Sequence, residues 1–281
     1  MLPYEQFYFT RDNQRLGYHR YRCGTGKLGV IILPAMGVPA GYYRKFANQL
    51  RGHGADVTVA DLRGVGSSTP HASRRNDFGY AELLDDVDTF LGLITPQLSG
   101  RFILLLGHSL GGQLASLYLA RSHRDNVETD IDALSLVASG IPYRRLYGSR
   151  SLAVSTMAAF MRTAADVRGH WPGHGFAGRQ PRRLIHDWAH TVFRGDFVTI
   201  RGDQLQEHMG GITQPVHTVT IEGDYFTPPQ TTRRLTDHMS NAWLSSYHYT
   251  KDTAQGPVDH IRWAQYAEAL ATHMVEFAGF D

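Results

Sequence analysis

Cysteine is almost missing from this chain: Cys23 is the single thiol in 281 residues, so no disulfide can form within it. Long apolar runs are missing as well. The longest, residues 30–33 and 102–106, fall far short of the roughly 20 residues a helix needs to cross a bilayer, and no membrane span is expected. Neither sign of charge dominates, since 28 Lys and Arg face 26 Asp and Glu and the formal net charge is +2 with the 15 His neutral. That balance argues against nucleic acid or a polybasic membrane surface as a dedicated partner. The arginine pairs at 74–75, 144–145, 182–183 and 233–234 lack interleaved aromatics and read as solvated faces. The opening Met1-Leu2-Pro3-Tyr4-Glu5-Gln6 has neither the charged start nor the apolar stretch of a secretory signal, and with the lone thiol this points to the cytoplasm. No internal repeat or low-complexity tract is visible, which excludes solenoids and propellers.

What is present is an ordinary globular composition, 42% hydrophobic and 19% charged with 29 Gly, long enough for one α/β domain with an insertion. Residues 5–10 and 16–23 alternate apolar and polar around Asp12-Asn13 and predict a half-exposed antiparallel hairpin. Residues 30–33, 57–60, 102–106 and 133–137 are short continuous apolar runs, the pattern of strands buried on both faces. Helical periodicities separate them. The clearest covers 80–98, where Tyr80, Leu83, Leu84, Val87, Phe90, Leu91 and Ile94 share one face. Such alternation implies right-handed crossovers and an open, mostly parallel α/β sandwich. It pauses over 141–211, which includes a helical segment at 181–193 and is read as an inserted helical cap between core segments 1–140 and 212–281. Alternation resumes with a strand at 216–221, a helix at 228–239 with Thr227 as N-cap and Pro228 at its first position, and a strand at 243–250. A last helix is expected over 261–278.

The decisive segment runs Leu106-Gly107-His108-Ser109-Leu110-Gly111-Gly112, a Gly-x-Ser-x-Gly between a buried strand and a helix. A serine on so sharp a turn holds a strained backbone, and a Cβ two residues to either side would strike the neighbouring chain, hence Gly107 and Gly111. The turn pushes the Ser109 hydroxyl out at the carboxyl end of the strand and aims the Leu110 N–H at a developing oxyanion. His108, adjacent to the nucleophile, points the wrong way to be its base and is assigned to packing or hydrogen bonding.

On these residues the chain resembles the α/β-hydrolase family, and more narrowly its uncharacterised predicted-hydrolase and serine-aminopeptidase-like branches. The resemblance extends over most of the chain. Leu33-Pro34-Ala35-Met36-Gly37-Val38 looks like the loop that completes the oxyanion hole, with Met36 as second N–H donor. Asp61-Leu62-Arg63-Gly64-Val65-Gly66-Ser67-Ser68 is similar to the family's D-x-R-G-x-G-x-S turn, and Trp171-Pro172-Gly173 is similar to its cap. In this family the acid follows the serine and the histidine comes last. Residues 218–221 form a strand end before Glu222-Gly223-Asp224, so Asp224 is assigned as the carboxylate that orients the base. His260, in Gly256-Pro257-Val258-Asp259-His260, lies after the last strand and is assigned as the base, with Asp259 as a candidate supporting partner. Some relatives, aligned on the shared Gly and Arg, carry their histidine where this chain has Pro257, and His248 and His238 stand as lesser candidates. A serine at the elbow disfavours haloalkane dehalogenase and epoxide hydrolase chemistry, which the resemblance associates with aspartate there.

Two histidine pairs, His186 with His190 and His170 with His174, have spacing that suits zinc, yet H-E-x-x-H is absent and no third ligand is evident. No metal or cofactor is expected. The expected function is hydrolysis of a carboxylic ester or thioester of a small to medium apolar acyl group, the small-molecule partner. Cap aromatics Tyr143, Trp171 and Phe176 are candidate substrate contacts, beside Tyr147, Met157, Phe160 and Met161. Acyltransfer, C–C bond hydrolysis or peptidase chemistry could use the same groups, and a non-catalytic ligand-binding protein could use the same fold.

Overall fold

The computed structural model describes residues 4–24, 26–173 and 175–280. His174 and the first three residues of the opening segment lie outside them. Ten strands and eight α-helices follow in chain order among the described residues: β1 (Glu5–Arg11), β2 (Gln14–Tyr21), β3 (Leu28–Leu33), α1 (Arg44–Gly52), β4 (Ala55–Ala60), α2 (Tyr80–Ile94), β5 (Phe102–His108), α3 (Leu110–Arg124), β6 (Ala133–Val137), α4 (Ser151–Arg168), β7 (His170–Trp171), β8 (Gln180–Pro181), α5 (Arg182–Arg194), β9 (Val216–Ile221), α6 (Pro229–Thr236), β10 (Leu244–Tyr249), α7 (Lys251–Ala254) and α8 (Glu268–Phe277). Eight strands form one sheet in the order β1-β2-β4-β3-β5-β6-β9-β10. From β4 to β10 all neighbours are parallel, while β1 and β2 join antiparallel at one edge. The fold is a mostly parallel α/β sandwich.

The uninterrupted apolar strands feed two cores at once. Ile31, Leu33, Leu105, Leu134 and Leu136 face one core with α2 and α3, while Val30, Ile32, Leu104, Leu106 and Val137 face the other with α1 and α8. Each fully buried Leu, Ile or Val of this kind stabilises the fold by roughly 1.5–3 kcal/mol. The Asp61 turn ties the layers at the carboxyl edge. Its carboxylate accepts the Ala40 and Ser67 N–H groups at 2.6 and 2.8 Å, and two residues on Arg63 makes a buried two-point pair with Asp86 of α2.

Several boundaries differ from the sequence expectation for local reasons. The helix at 80–98 is α-helical to Ile94 and then tightens to a 3₁₀ turn, Thr95–Leu98, with Pro96 in that turn. Helix α6 begins at Pro229, not Pro228, and Thr227 is not its cap. Pro228 precedes another proline, which excludes it from the helical region, so its backbone is extended at φ −59°, ψ 152° and it is itself the N-cap. The last helix is split. Arg262–Gln265 form a 3₁₀ turn, Tyr266 leaves helical geometry with its carbonyl accepting the Tyr249 hydroxyl at 2.6 Å, and α8 starts afresh at Glu268. Helices α1 and α4 go beyond the periodicities read from the sequence. No helix among the described residues is long and apolar enough to cross a membrane.

Between β6 and β9 the chain leaves the sheet and builds α4, the short β7–β8 ladder and α5, whose Ala158, Met161, Ala165, Ile185, Trp188 and Ala189 join the core shared with α2 and α3. Below the sheet, His217 of β9 is buried, with Nδ1 2.7 Å from Ser245 Oγ and Nε2 3.1 Å from His273 Nε2. Burial first, then the neighbouring His273, pushes this imidazole down to about 4. Below about pH 6.5 the unfolded chain gains a proton here that the folded chain refuses until about pH 4, so this share of stability is present at neutral pH and lost across that window. Urea midpoints measured at pH 7 and pH 5 are expected to fall less for His217→Asn than for the parent; equal falls would contradict this account.

Candidate active site

The elbow is built by exclusion. Ser109 has φ 53° and ψ −115°, a left-handed conformation that costs a non-glycine residue on the order of 1–3 kcal/mol. Its neighbours are close enough to admit only hydrogen at two positions. A Cβ on Gly107 would lie 2.2 Å from Gly112 Cα, and one on Gly111 would lie 2.0 Å from the Leu33 carbonyl oxygen. The second contact shows how closely the start of α3 presses against the end of β3. The Ser109 carbonyl accepts the Gly112 N–H at 3.1 Å and the Ser139 hydroxyl at 2.8 Å, which locks the turn.

The structure brings Ser109, Asp224 and His260 together from three separate loops at one edge of the sheet. His260 Nε2 lies 3.0 Å from Ser109 Oγ, and His260 Nδ1 lies 2.8 Å from Asp224 Oδ2. The other Asp224 oxygen accepts the backbone N–H groups of Phe226 and Thr227 at 2.8 and 2.9 Å, so the carboxylate is held from both ends and its side chain is only 1% exposed. In this arrangement a serine proton can pass to Nε2 while the carboxylate fixes the Nδ1–H tautomer. Asp259 does not support the ring: its carboxylate accepts the Ile261 and Arg262 N–H groups at 2.9 and 2.8 Å, closing the turn after His260. His248 bonds Thr220 at 2.8 Å, and neither it nor His238 lines the cavity at Ser109.

His108 ties these loops together. The Tyr43 hydroxyl accepts the Ala35 N–H at 2.9 Å and donates to His108 Nδ1 at 2.7 Å, which leaves the hydrogen on Nε2 to be donated to the His260 carbonyl at 2.7 Å. The Trp263 indole meets the same ring edge-on, 5.2 Å between centroids. Complete burial, with His260 nearby, holds the His108 imidazole well below its ordinary range, neutral as this pattern requires. Leu110 opens α3, so no carbonyl four residues back in that helix takes its N–H. The Met36 N–H has no acceptor among the described residues. Gly37, at φ 75°, lets the Met36 loop approach the Ala177 carbonyl, which a Cβ would meet at 1.9 Å.

Two cavities meet at the serine. One, about 200 Å³, is walled by Tyr147, Val154, Met157, Phe176 and Trp188 above Ser109 and His260. The other, about 230 Å³, runs beneath Met36 and Val38. The Phe176 and Phe226 rings, stacked at 4.7 Å, border both. Of the aromatic contacts expected from the sequence, Phe176 lines both cavities, but Tyr143 and Trp171 do not. The Tyr143 ring packs against Gly195, where an added Cβ would approach it to 2.8 Å. Trp171 is buried under Phe160 and donates its N–H to the Phe176 carbonyl at 2.9 Å, supporting the loop from behind. Tyr225, Phe226 and Arg150 were not legible as lining residues; only the adjacency of the first two to Asp224 signals them. Among the described residues no cluster of three or more His, Cys, Asp or Glu could hold a metal, and His186 Nε2 lies 2.7 Å from Asp166 Oδ1.

Parallel sheet, serine elbow and hydrogen-bonded Ser109, His260 and Asp224 define the class: an α/β hydrolase. The chain belongs to the family described as Serine aminopeptidase, S33, which it matches over residues 26–251. Solved structures agree on the fold. A soluble variant of monoglyceride lipase from Saccharomyces cerevisiae superposes with a TM-score of 0.73 at 14% identity, covering 99% of this chain and 97% of that one. Est1E from Butyrivibrio proteoclasticus, bound to ferulic acid, gives 0.62 at 16% identity over 96% and 98%, and a thioesterase domain from the curacin biosynthetic pathway gives 0.60 at 17% over 96% and 100%. A search of curated protein sequences finds no match.

Because the Leu33 carbonyl is backbone and cannot yield, Gly111→Ala is expected to destabilise the protein by about 3 kcal/mol or more. Urea unfolding measures this; a loss under about 1 kcal/mol would show that the elbow has room to relax.

Proposed function

We propose that this chain is a serine hydrolase that cleaves a carboxylic ester or thioester of a small to medium, mostly apolar acyl group, with residues 141–211 as its cap. The observation that carries the reading is the unbroken relay from Asp224 through His260 to Ser109 at the foot of an apolar cavity. Ser109 Oγ attacks the acyl carbon as its proton moves to His260 Nε2, and the Met36 and Leu110 N–H groups receive the negative charge on the former carbonyl oxygen. Collapse expels the alcohol or thiol, which takes the proton from His260, and leaves an acyl-enzyme on Ser109. Water then gives its proton to His260 and its oxygen to the acyl carbon, releasing the acid and restoring the serine. The single thiol and the absence of a membrane-crossing helix among the described residues support a cytoplasmic setting.

The apolar walls favour an acyl or alkyl group over a peptide. An aminopeptidase must hold a substrate ammonium, and neither cavity at Ser109 has an Asp or Glu among its described lining residues.

Hydrolysis of p-nitrophenyl esters from acetate to dodecanoate tests the reading. The parent is expected to turn over with an optimum at intermediate chain length, and Ser109→Ala and His260→Ala each to lower kcat by roughly 10⁴-fold, by analogy with other serine triads. Inactivity of the parent across the series, or activity that survives His260→Ala, would overturn it.

A further inference from the structure

The cavity at Ser109 walled by Tyr147 and Trp188 is apolar along its walls but bears a cation at its rim. Arg150 is the one permanently charged group among its described lining residues, which include no Asp, Glu or Lys. The other polar groups there are already engaged. Gln113 accepts the Tyr80 hydroxyl at 2.6 Å and donates to the Gly140 carbonyl at 2.7 Å, and the Tyr147 hydroxyl donates to the Phe226 carbonyl at 2.6 Å. Arg150 has no hydrogen-bond acceptor and no acidic partner among the described residues, in contrast to Arg11, Arg63 and Arg121, each of which pairs with a carboxylate. Its guanidinium instead lies 4.9 Å from the centre of the Tyr225 ring, a cation–π stack that holds the head group at the mouth. Tyr225 directly follows Asp224, so the turn that presents the carboxylate to His260 also presents this shelf. The surrounding field has the same sign: residues 141–168 contain Arg144, Arg145, Arg150, Arg162 and Arg168 against one acid, Asp166, which is engaged by His186.

We propose that Arg150 forms an anion subsite at the outer end of this cavity, and that the apolar limb of the substrate lying there ends in a carboxylate. The inference rests on the hydrolase reading and narrows its substrate class. A carboxylate deeper in the cavity would be stripped of water among apolar walls, whereas at the rim it stays partly hydrated and meets the guanidinium fork in two-point fashion. A single guanidinium matches one negative charge; a phosphate dianion would keep half of its charge uncompensated. Because reacting carbon and rim are both fixed, the subsite measures length. An ester whose limb is too short to reach Arg150 gains nothing from its carboxylate.

Calorimetric binding to Ser109→Ala, which keeps the cavity and removes the nucleophile, tests this with alkyl esters of graded length ending in methyl, carboxylate, phosphate or ammonium. At one intermediate length the carboxylate-ended ester is expected to bind about tenfold more tightly than its methyl-ended counterpart, the scale of one charge-assisted pair at a wet rim. Arg150→Met in the same background should make the carboxylate- and methyl-ended esters bind equally, and Arg150→Glu should transfer the advantage to the ammonium-ended ester. Equal affinity for methyl and carboxylate ends at every length, or an advantage that survives Arg150→Met in a variant with unaltered thermal unfolding, would overturn the subsite. A preference for the phosphate end would overturn the carboxylate. Turnover of neutral esters by the Ser109 parent separates the two levels: turnover without carboxylate preference removes the subsite alone, and carboxylate preference without turnover of any ester removes the hydrolase reading alone.

Discussion

The geometry at Ser109 depends on a buried, neutral histidine that touches no substrate-facing surface. His108 ends β5, and its two ring nitrogens are committed in opposite directions, one to Tyr43 and through it to the Ala35 N–H, the other to the His260 carbonyl. The residue before the serine therefore fixes the loop that precedes Met36 and the loop that carries His260. A charged His108 would donate at both nitrogens, and the Tyr43 oxygen would then accept from it as well as from Ala35 and leave its own buried proton without an acceptor, which is why the burial of the ring, with Trp263 against it, matters as much as its hydrogen bonds. Strands β3 and β5, paired in parallel, set the distance that this tether spans.

Around that fixed edge the cavity walls come from a different part of the chain. Sheet loops supply Ser109, Asp224 and His260, whereas α4, α5 and the loop to Phe176 supply most of the apolar surface. The two meet at Phe226, whose N–H is bonded to Asp224, whose carbonyl accepts the Tyr147 hydroxyl and whose ring stacks on Phe176. One residue thus couples the orientation of the acid to the shape of the wall. Glycines at 173, 175 and 178, all at positive φ, let the Phe176 loop turn tightly enough to bring its ring there.

Much of the fold was legible because the physics behind it is local. Strands buried on both faces are largely apolar, so β3, β4, β5 and β6 stand out as short runs, and the elbow stands out because hydrogen alone fits at Gly107 and Gly111. Helix α4 was not legible: Leu152, Phe160 and Val167 are exposed among its apolar residues and blur the stripe that periodicity looks for. The break before α8 was hidden because it answers to Tyr249, a partner 17 residues away. Tyr143 and Trp171 had the right chemistry for a pocket wall but were spent on packing, a choice made by neighbours that no linear pattern reveals. Arg150 carried no signal at all, since its meaning comes from the carboxylates that are not around it.

On the proposed reading, His260 makes Ser109 uniquely nucleophilic among the serines of this fold. A fluorophosphonate that loses fluoride on attack by an activated serine, followed by peptide mass spectrometry, tests it most directly. One phosphonyl group per chain is expected on Ser109 in the parent, and none in His260→Ala at equal exposure. Folded parent that stays unlabelled, or an adduct on another residue, would contradict it.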